Sequence, residues 1–256
     1  VLQLCVVHLG GNVEKVRIYG NYVENDVPPV EMYKQEVYSD KRKKVVDLKA
    51  SGLNRPVDIS WLKAASLKYQ ISANIKDYVV IPVPVITSGI PNRRNQSFSM
   101  GSLLDFDTEY KRQRYSTFVG CPTYVEHKND NFLEAKGINL DASLTYVPAY
   151  NLYKVNVLSA FDRTKYPELT EKILKLKTNQ FSMGAVCTTF RCSLCGNLLG
   201  PGVERTCKCP GDYTELRSYG NIVNNKLHYI SAVDPVFIEN SWVADPADIT
   251  AVGNPI

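Results

Sequence analysis

Ile71-Ser72-Ala73-Asn74-Ile75-Lys76-Asp77-Tyr78-Val79-Val80-Ile81-Pro82-Val83-Pro84-Val85-Ile86 is where the texture of the chain changes. Ahead of it the first seventy residues are polar and irregular. Their charge run Asp40-Lys41-Arg42-Lys43-Lys44 reads as a solvated surface. Within the stretch Val and Ile dominate, which favours extended backbone. Pro82 and Pro84 each withhold an N–H from a ladder, which confines the segment to a bent or edge strand. Working outward, strand-like runs follow at residues 116–119, 140–147, 153–160, 182–190, 226–232 and 236–243. One segment, 167–178, reads as a helix: Pro167 suits a first turn, and Leu169, Ile173, Leu174 and Leu176 make an apolar side. Several strands and few helices imply an α+β fold, a mostly antiparallel sheet or barrel with peripheral helices. The expected organisation is an accessory segment over 1–70 and a main domain over 71–256, with a cysteine-rich insertion at 187–212.

Composition narrows the function classes. The 256 residues are 44% hydrophobic and 22% charged, ordinary globular usage with enough chain for one sizeable core. Thirty Lys and Arg against 26 Asp and Glu leave a net charge of +4, far from the basic stripe of a dedicated nucleic-acid binder. The longest apolar run, residues 79–86, is eight residues long and holds two prolines, too short for a membrane span. The opening Val-Leu-Gln-Leu-Cys lacks a basic lead, so no secretory leader is expected.

Seven cysteines stand at 5, 121, 187, 192, 195, 207 and 209. An odd total with four crowded together is a poor disulfide framework and a better metal site. Cys192-Ser193-Leu194-Cys195-Gly196 is a CxxC knuckle, followed after an eleven-residue gap by Cys207-Lys208-Cys209. Four thiolates satisfy tetrahedral Zn²⁺ without water, so the expected ion is structural Zn²⁺ held by Cys192, Cys195, Cys207 and Cys209. Cys187 is a competing ligand.

The chain has three histidines, His8, His127 and His228. His127 lies where a strand gives way to the polar run Lys128-Asn129-Asp130, a sensible place for an accessible imidazole that takes and returns a proton. Ser182, in Phe181-Ser182-Met183-Gly184-Ala185, opens an apolar strand straight after the helix. Gly184 reads there as room for the close approach of a substrate backbone.

Read in order, a set of motifs resembles the prohead maturation proteases of tailed bacteriophages. They are Ile90-Pro91-Asn92-Arg93, Phe118-Val119-Gly120-Cys121-Pro122, His127-Lys128-Asn129, Ala135-Lys136-Gly137, Asp141-Ala142-Ser143, Phe181-Ser182-Met183-Gly184-Ala185 and Glu239-Asn240-Ser241-Trp242-Val243-Ala244-Asp245-Pro246-Ala247. The resemblance covers roughly residues 70–256 and implies a fold related to the herpesvirus assembly proteases. It places the catalytic pair of a serine protease on His127 and Ser182. Glu239 is the candidate third residue, on the strand that carries a second histidine in the herpesvirus enzymes, with Asp141, Asp245 and Asp248 as rivals. Strand alternation sets Glu239 and Ser241 on one face and Ile238 and Asn240 on the other. The arginines that follow the third residue in those enzymes are missing from residues 244–251, which leaves a backbone amide near Gly184 or in that loop, or Arg191, as the oxyanion donor.

The resemblance implies a phage-encoded endopeptidase that cleaves scaffold and capsid proteins, and itself, inside the assembling prohead in the host cytoplasm, working as a homo-oligomer. The alternative is a catalytically inactive assembly protein of the virion that keeps the fold. A nucleic-acid module built on the cysteine ribbon, using Lys177, Arg191, Arg205 and Lys208, ranks below both because the ribbon has no aromatic stacking platform.

Overall fold

The prolines act as the sequence suggests. The strand Tyr78–Thr87 sits at the outer edge of the largest sheet and pairs antiparallel with Leu152–Asp162, with Pro82 opposite Leu158 and Pro84 opposite Asn156. A bulge between Val155 and Asn156 accompanies them. Residues 71–77 are not strand; they include a 3₁₀ turn, Ile75–Asp77, capped by the Asn74 side chain on the Lys76 N–H.

The computed structural model describes residues 56–243, apart from 149, 150, 176–178, 202, 216 and 217, together with four further strands, Val6–Val7, Lys15–Gly20, Val45–Asp47 and Val252–Gly253. In chain order the strands are β1 (Val6–Val7), β2 (Lys15–Gly20), β3 (Val45–Asp47), β4 (Pro56–Asp58), β5 (Tyr78–Thr87), β6 (Gln96–Phe98), β7 (Phe106–Asp107), β8 (Arg112–Gln113), β9 (Pro122–Val125), β10 (Gly137–Val147), β11 (Leu152–Asp162), β12 (Asn179–Cys187), β13 (Phe190–Cys192), β14 (Leu198–Leu199), β15 (Ile222–Val223), β16 (Lys226–Leu227), β17 (Ile230–Ala232), β18 (Val236–Val243) and β19 (Val252–Gly253). The helices are α1 (Leu62–Tyr69), α2 (Met100–Leu104) and α3 (Pro167–Lys175).

The architecture is α+β and mostly strand. Nine strands form one sheet in the order β1-β2-β12-β18-β9-β10-β11-β5, with β19 also on β12. Its pairs are antiparallel except β18 with β9. The sheet curls into a half-barrel, so that β5 returns towards β12 and β19. Strands from the first seventy residues are part of this framework: β2 pairs with β12 from Val16–Cys187 to Gly20–Met183. Helix α1 packs its Leu62 and Tyr69 with Ile138, Leu140 and Leu158. The boundary expected at residue 70 therefore does not coincide with an edge of the sheet.

One bulge divides the core in two. On β10, Ile138 and Leu140 join α1 on the outer face, whereas Ala142 and Leu144 face the main core with Val155 and Val157. All four are even-numbered; an extra residue between Asn139 and Asp141 flips the strand by one face. The main core, which includes Ile81, Phe118, Phe161, Phe181, Phe190 and Phe237, fills the inside of the curl.

Three local expectations are corrected. Residues 116–118 belong to a 3₁₀ segment, Arg114–Phe118, with Val119 as its C-cap, where the Ser116 and Thr117 hydroxyls bond back to the carbonyls of Gln113 and Arg114 and so compete with a ladder. Run 226–232 is split into β16 and β17 around His228. In α3, Ile173 is buried but Leu174 is exposed, because the buried side is centred on Thr170 and Ile173; Leu176 lies outside the described residues. Among the described residues no helix is long and apolar enough to cross a membrane.

Candidate functional site

Strand β18 has β12 on one flank and β9 on the other, and each contributes a piece of the site. On the β12 flank, Ser182 stands opposite Ser241 and Gly184 opposite Glu239. Cross-strand partners share a face, so Ser182, Gly184, Ser241 and Glu239 lie together on the outer face, while Phe181, Met183 and Ala185 point into the main core. On the other flank β9 delivers Tyr124 opposite Ser241, ends at Val125, and turns at Glu126 and His127.

That turn aims the imidazole. Lys128 N–H donates to the Val125 carbonyl at 3.1 Å, and both central residues have positive φ, 53° at Glu126 and 54° at His127. This is the signature of a type I′ turn, usually made from Asn and Gly. Glu126 N–H ties the turn to the Trp242 carbonyl of β18 at 3.0 Å. His127 then places Nδ1 2.7 Å from Glu239 Oε1, across 112 residues of sequence. The Glu239 side chain is fully buried and the His127 side chain is 19% exposed. The other carboxylate oxygen, Oε2, accepts the Ser241 hydroxyl. An ionised carboxylate only accepts, so with Glu239 ionised and the ring neutral the imidazole proton would sit on Nδ1 and the lone pair on Nε2.

Gly184 has a different role from the one its sequence context suggests. A Cβ there would overlap Oε1 and Cγ of Glu239, so the glycine makes room for the carboxylate rather than for a substrate backbone. A bulge between Gly184 and Ala185 leaves Ile238 unpaired beside Glu239. Beside it, Phe237 N–H donates to Thr117 Oγ1 at 2.9 Å, and its carbonyl accepts from Cys121 Sγ at 3.3 Å. Burial pushes the Cys121 thiol up to about 12, which suits a donor and not a nucleophile. On the inner face, Asn240 Nδ2 donates to Ser159 Oγ, which donates to Asn139 Oδ1, pinning β18 to β11 and β10 through three fully buried side chains.

Of the predicted residues, the structure thus brings His127 and Glu239 into contact and sets Ser182 two register positions from Glu239 on the neighbouring strand. Asp141 lies in β10 opposite Leu158. Asp245 and Asp248, the 244–251 loop and Lys177 lie outside the described residues. Arg191 donates to the Gly196 carbonyl at 2.8 Å in the ribbon, and Arg205 to the Gly211 carbonyl at 2.9 Å. Sequence reasoning missed Thr117, Cys121, Asn240 and Ser159 as supports. The one available signal was Ser241, which alternation had already put beside Glu239.

The second candidate site is the cysteine cluster. The Sγ atoms of Cys192, Cys195, Cys207 and Cys209 all lie within 4.8 Å of one another, so these four could hold a metal ion. A tetrahedral ion with metal–sulfur bonds of about 2.3 Å separates its sulfurs by about 3.8 Å, which this cluster reaches with small adjustment. Cys187 is not a competitor: its Sγ donates to Asp234 Oδ1 at 2.7 Å and contacts the Thr189 carbonyl at 3.0 Å. The Cys195 and Cys209 thiols shift in opposite directions. Burial opposes ionisation of Cys195, but hydrogen bonds from the Asn197 backbone and the other cysteines prevail and lower its thiol. Burial, then the neighbouring sulfurs, pushes Cys209 up to about 12. The ribbon extends beyond the expected 187–212: β13 pairs with β14 and β17, and β17 pairs in parallel with β6. It is inserted between β12 and β18, the strands of Ser182 and Glu239.

No protein-family profile matches the sequence, no curated protein matches it and no solved structure matches its fold.

Proposed function

We propose that the chain is a serine endopeptidase with Ser182 as nucleophile, His127 as general base and Glu239 as the group that orients and neutralises the imidazole. The observation that carries this reading is the 2.7 Å His127–Glu239 bond to a fully buried carboxylate, made from a strand whose neighbour holds Ser182. A buried carboxylate on Nδ1 fixes the tautomer and offsets the charge that forms when Nε2 takes a proton. In the cycle, Nε2 removes the Ser182 hydroxyl proton as Oγ attacks a peptide carbonyl, then gives it to the departing amine; water hydrolyses the acyl-enzyme by the reverse relay. The motif resemblance supplies the biological setting: scaffold and capsid proteins of a tailed phage as substrates, cleaved within the prohead, by an oligomer on a herpesvirus-protease-like fold. The cysteine cluster fits Zn²⁺, which with four thiolates supplies structure and no open coordination position.

A fluorophosphonate probe tests the chemistry. It should label the wild-type chain on Ser182, and Ser182→Ala and His127→Ala should both abolish labelling without loss of fold. Labelling that persists in Ser182→Ala ends this reading. The second reading, an inactive assembly protein of the virion, is favoured by one observation: Ser182 is 3% exposed, and Ser241 and Glu239 are fully buried. Absence of labelling in a folded oligomer mixed with scaffold protein would select it.

A further inference from the structure

Of the two histidines among the described residues, His228 is the one that neither the sequence motifs nor the proposed chemistry uses. His228 lies between β16 and β17, is 1% exposed, and is clasped through its backbone: its N–H donates to the Asn221 carbonyl at 2.9 Å and its carbonyl accepts from Gly220 N–H at 2.8 Å. Tyr219 holds the ring edge-on, with centroids 4.8 Å apart. Nε2 is 3.6 Å from Cys192 Sγ, and Nδ1 has no hydrogen-bond partner among the described residues. The first knuckle is docked on the same segment by three bonds: Ser193 N–H to the Tyr229 carbonyl at 3.0 Å, Ser193 Oγ to the Leu227 carbonyl at 3.0 Å, and Tyr229 N–H to Ser193 Oγ at 2.8 Å.

The sulfurs differ in how their charge would be met. Cys195 is exposed and also takes the Asn197 backbone amide; Cys207 takes the backbone amide of Cys209. Cys192 is 2% exposed, so water does little for it. A buried thiolate without a donor is costly, and a proton on Nε2 makes a bond where one on Nδ1 makes none.

We infer that His228 is a positioning residue of the metal site, a fixed N–H donor from Nε2 to the Cys192 thiolate, and not a ligand. The inference rests on the cluster holding a metal, and it is independent of the protease reading. Groups that orient metal ligands in this way typically change metal affinity ten- to a hundredfold when removed.

The test uses the full chain loaded with ¹¹³Cd²⁺. One ion should bind per chain with a chemical shift in the four-sulfur range, the His228 imidazole should carry its proton on Nε2, and that proton should show a scalar coupling to cadmium through the Cys192 sulfur. His228→Phe should lose metal to a chelator at least about tenfold faster, and His228→Gln, which keeps an N–H donor, should recover part of that loss. Failure to bind any cadmium overturns the metal reading itself. Binding with a three-sulfur, one-nitrogen shift, or with the proton on Nδ1 and no coupling, overturns the donor role while leaving the metal standing. The wild-type spectrum decides the question even if His228→Phe does not fold.

Discussion

The His127–Glu239 site and the cysteine ribbon are built on opposite plans. The ribbon draws its four sulfurs from 18 consecutive positions, 192–209, and its own strands are two or three residues long. The other site joins groups 112 residues apart, and its geometry is set by the register of strands eight and nine residues long and by a bulge. Local ligand spacing needs an ion to close it; a long ladder needs none. The ribbon should therefore depend on a ligand and the sheet on packing, although the chain passes from one directly into the other.

The largest effect should come from removing the ion. Binding of structural Zn²⁺ by four cysteines is worth roughly 10–16 kcal/mol at neutral pH, more than short strands can replace. Chelation should release about one metal per chain and abolish amide protection around Cys192, Cys195, Cys207 and Cys209. Protection in β10 and β11, whose ladder runs almost unbroken from Gly137–Phe161 to Val147–Leu152, should persist. Hydrogen exchange before and after chelation measures both, and simultaneous loss in the two regions would break the contrast.

Next in size is Glu239→Gln. The amide keeps the shape, an acceptor for His127 Nδ1 and a group for Ser241, so the fold should survive. What disappears is the charge that holds the imidazole tautomer, and turnover by a Ser–His pair should fall about 10⁴-fold. Metal binding should not change. Equal turnover in the variant would mean that the buried carboxylate serves only the fold.

The same contrast explains what could be read in advance. The ribbon was legible because CxxC and CxC carry ligand geometry in their spacing. The edge strand was legible from Pro82 and Pro84, and the facing of Glu239 with Ser241 from alternation alone. Residues 116–119 looked like strand because hydroxyl-to-backbone bonds from Ser116 and Thr117 leave no mark on periodicity. Bulges are equally silent. Ile138 and Leu140 share even parity with Ala142 and Leu144 yet face the other way, and no pattern in 137–147 announces the change. Gly184 was visible as a small residue, but its beneficiary, Glu239, lies 55 residues on, on another strand, and only the register identifies it.

A smaller effect belongs to the seam between the two regions. Asp234, between β17 and β18, accepts from Thr188 N–H at 3.0 Å, Thr189 N–H at 2.9 Å and Cys187 Sγ at 2.7 Å, and from the Thr188 hydroxyl, where β12 passes into β13. Burial alone would raise its carboxyl, but these donors prevail and hold it below the usual carboxylate range. A group whose folded pKa is depressed contributes stability above its unfolded value, near ~3.9, and loses it as pH falls through the folded value. Asp234→Asn should cost about 1–2 kcal/mol at pH 6 and flatten the loss of stability below pH ~4. Denaturant midpoints at the two pH values check this, and an unchanged acid slope in the variant would take Asp234 out of the seam.

The smallest effect should separate stability from aim. Glu126 and His127 both occupy left-handed backbone, which costs a non-glycine residue on the order of 1 kcal/mol and is tolerated where the surroundings fix it. Two bonds do so here, Glu126 N–H to Trp242 and Lys128 N–H to Val125. Glu126→Gly removes the strain at one position and keeps both bonds, yet it frees the unfolded chain, so the two changes offset and stability should move by less than about 1 kcal/mol. The turn, however, gains freedom at the residue next to the imidazole, and an imidazole that wanders from Glu239 is in place for a smaller fraction of the time. Labelling of Ser182 should slow several-fold while the unfolding midpoint stays put. If the rate also stays put, the type I′ turn is a connector, and the aim of His127 comes from Glu239 alone.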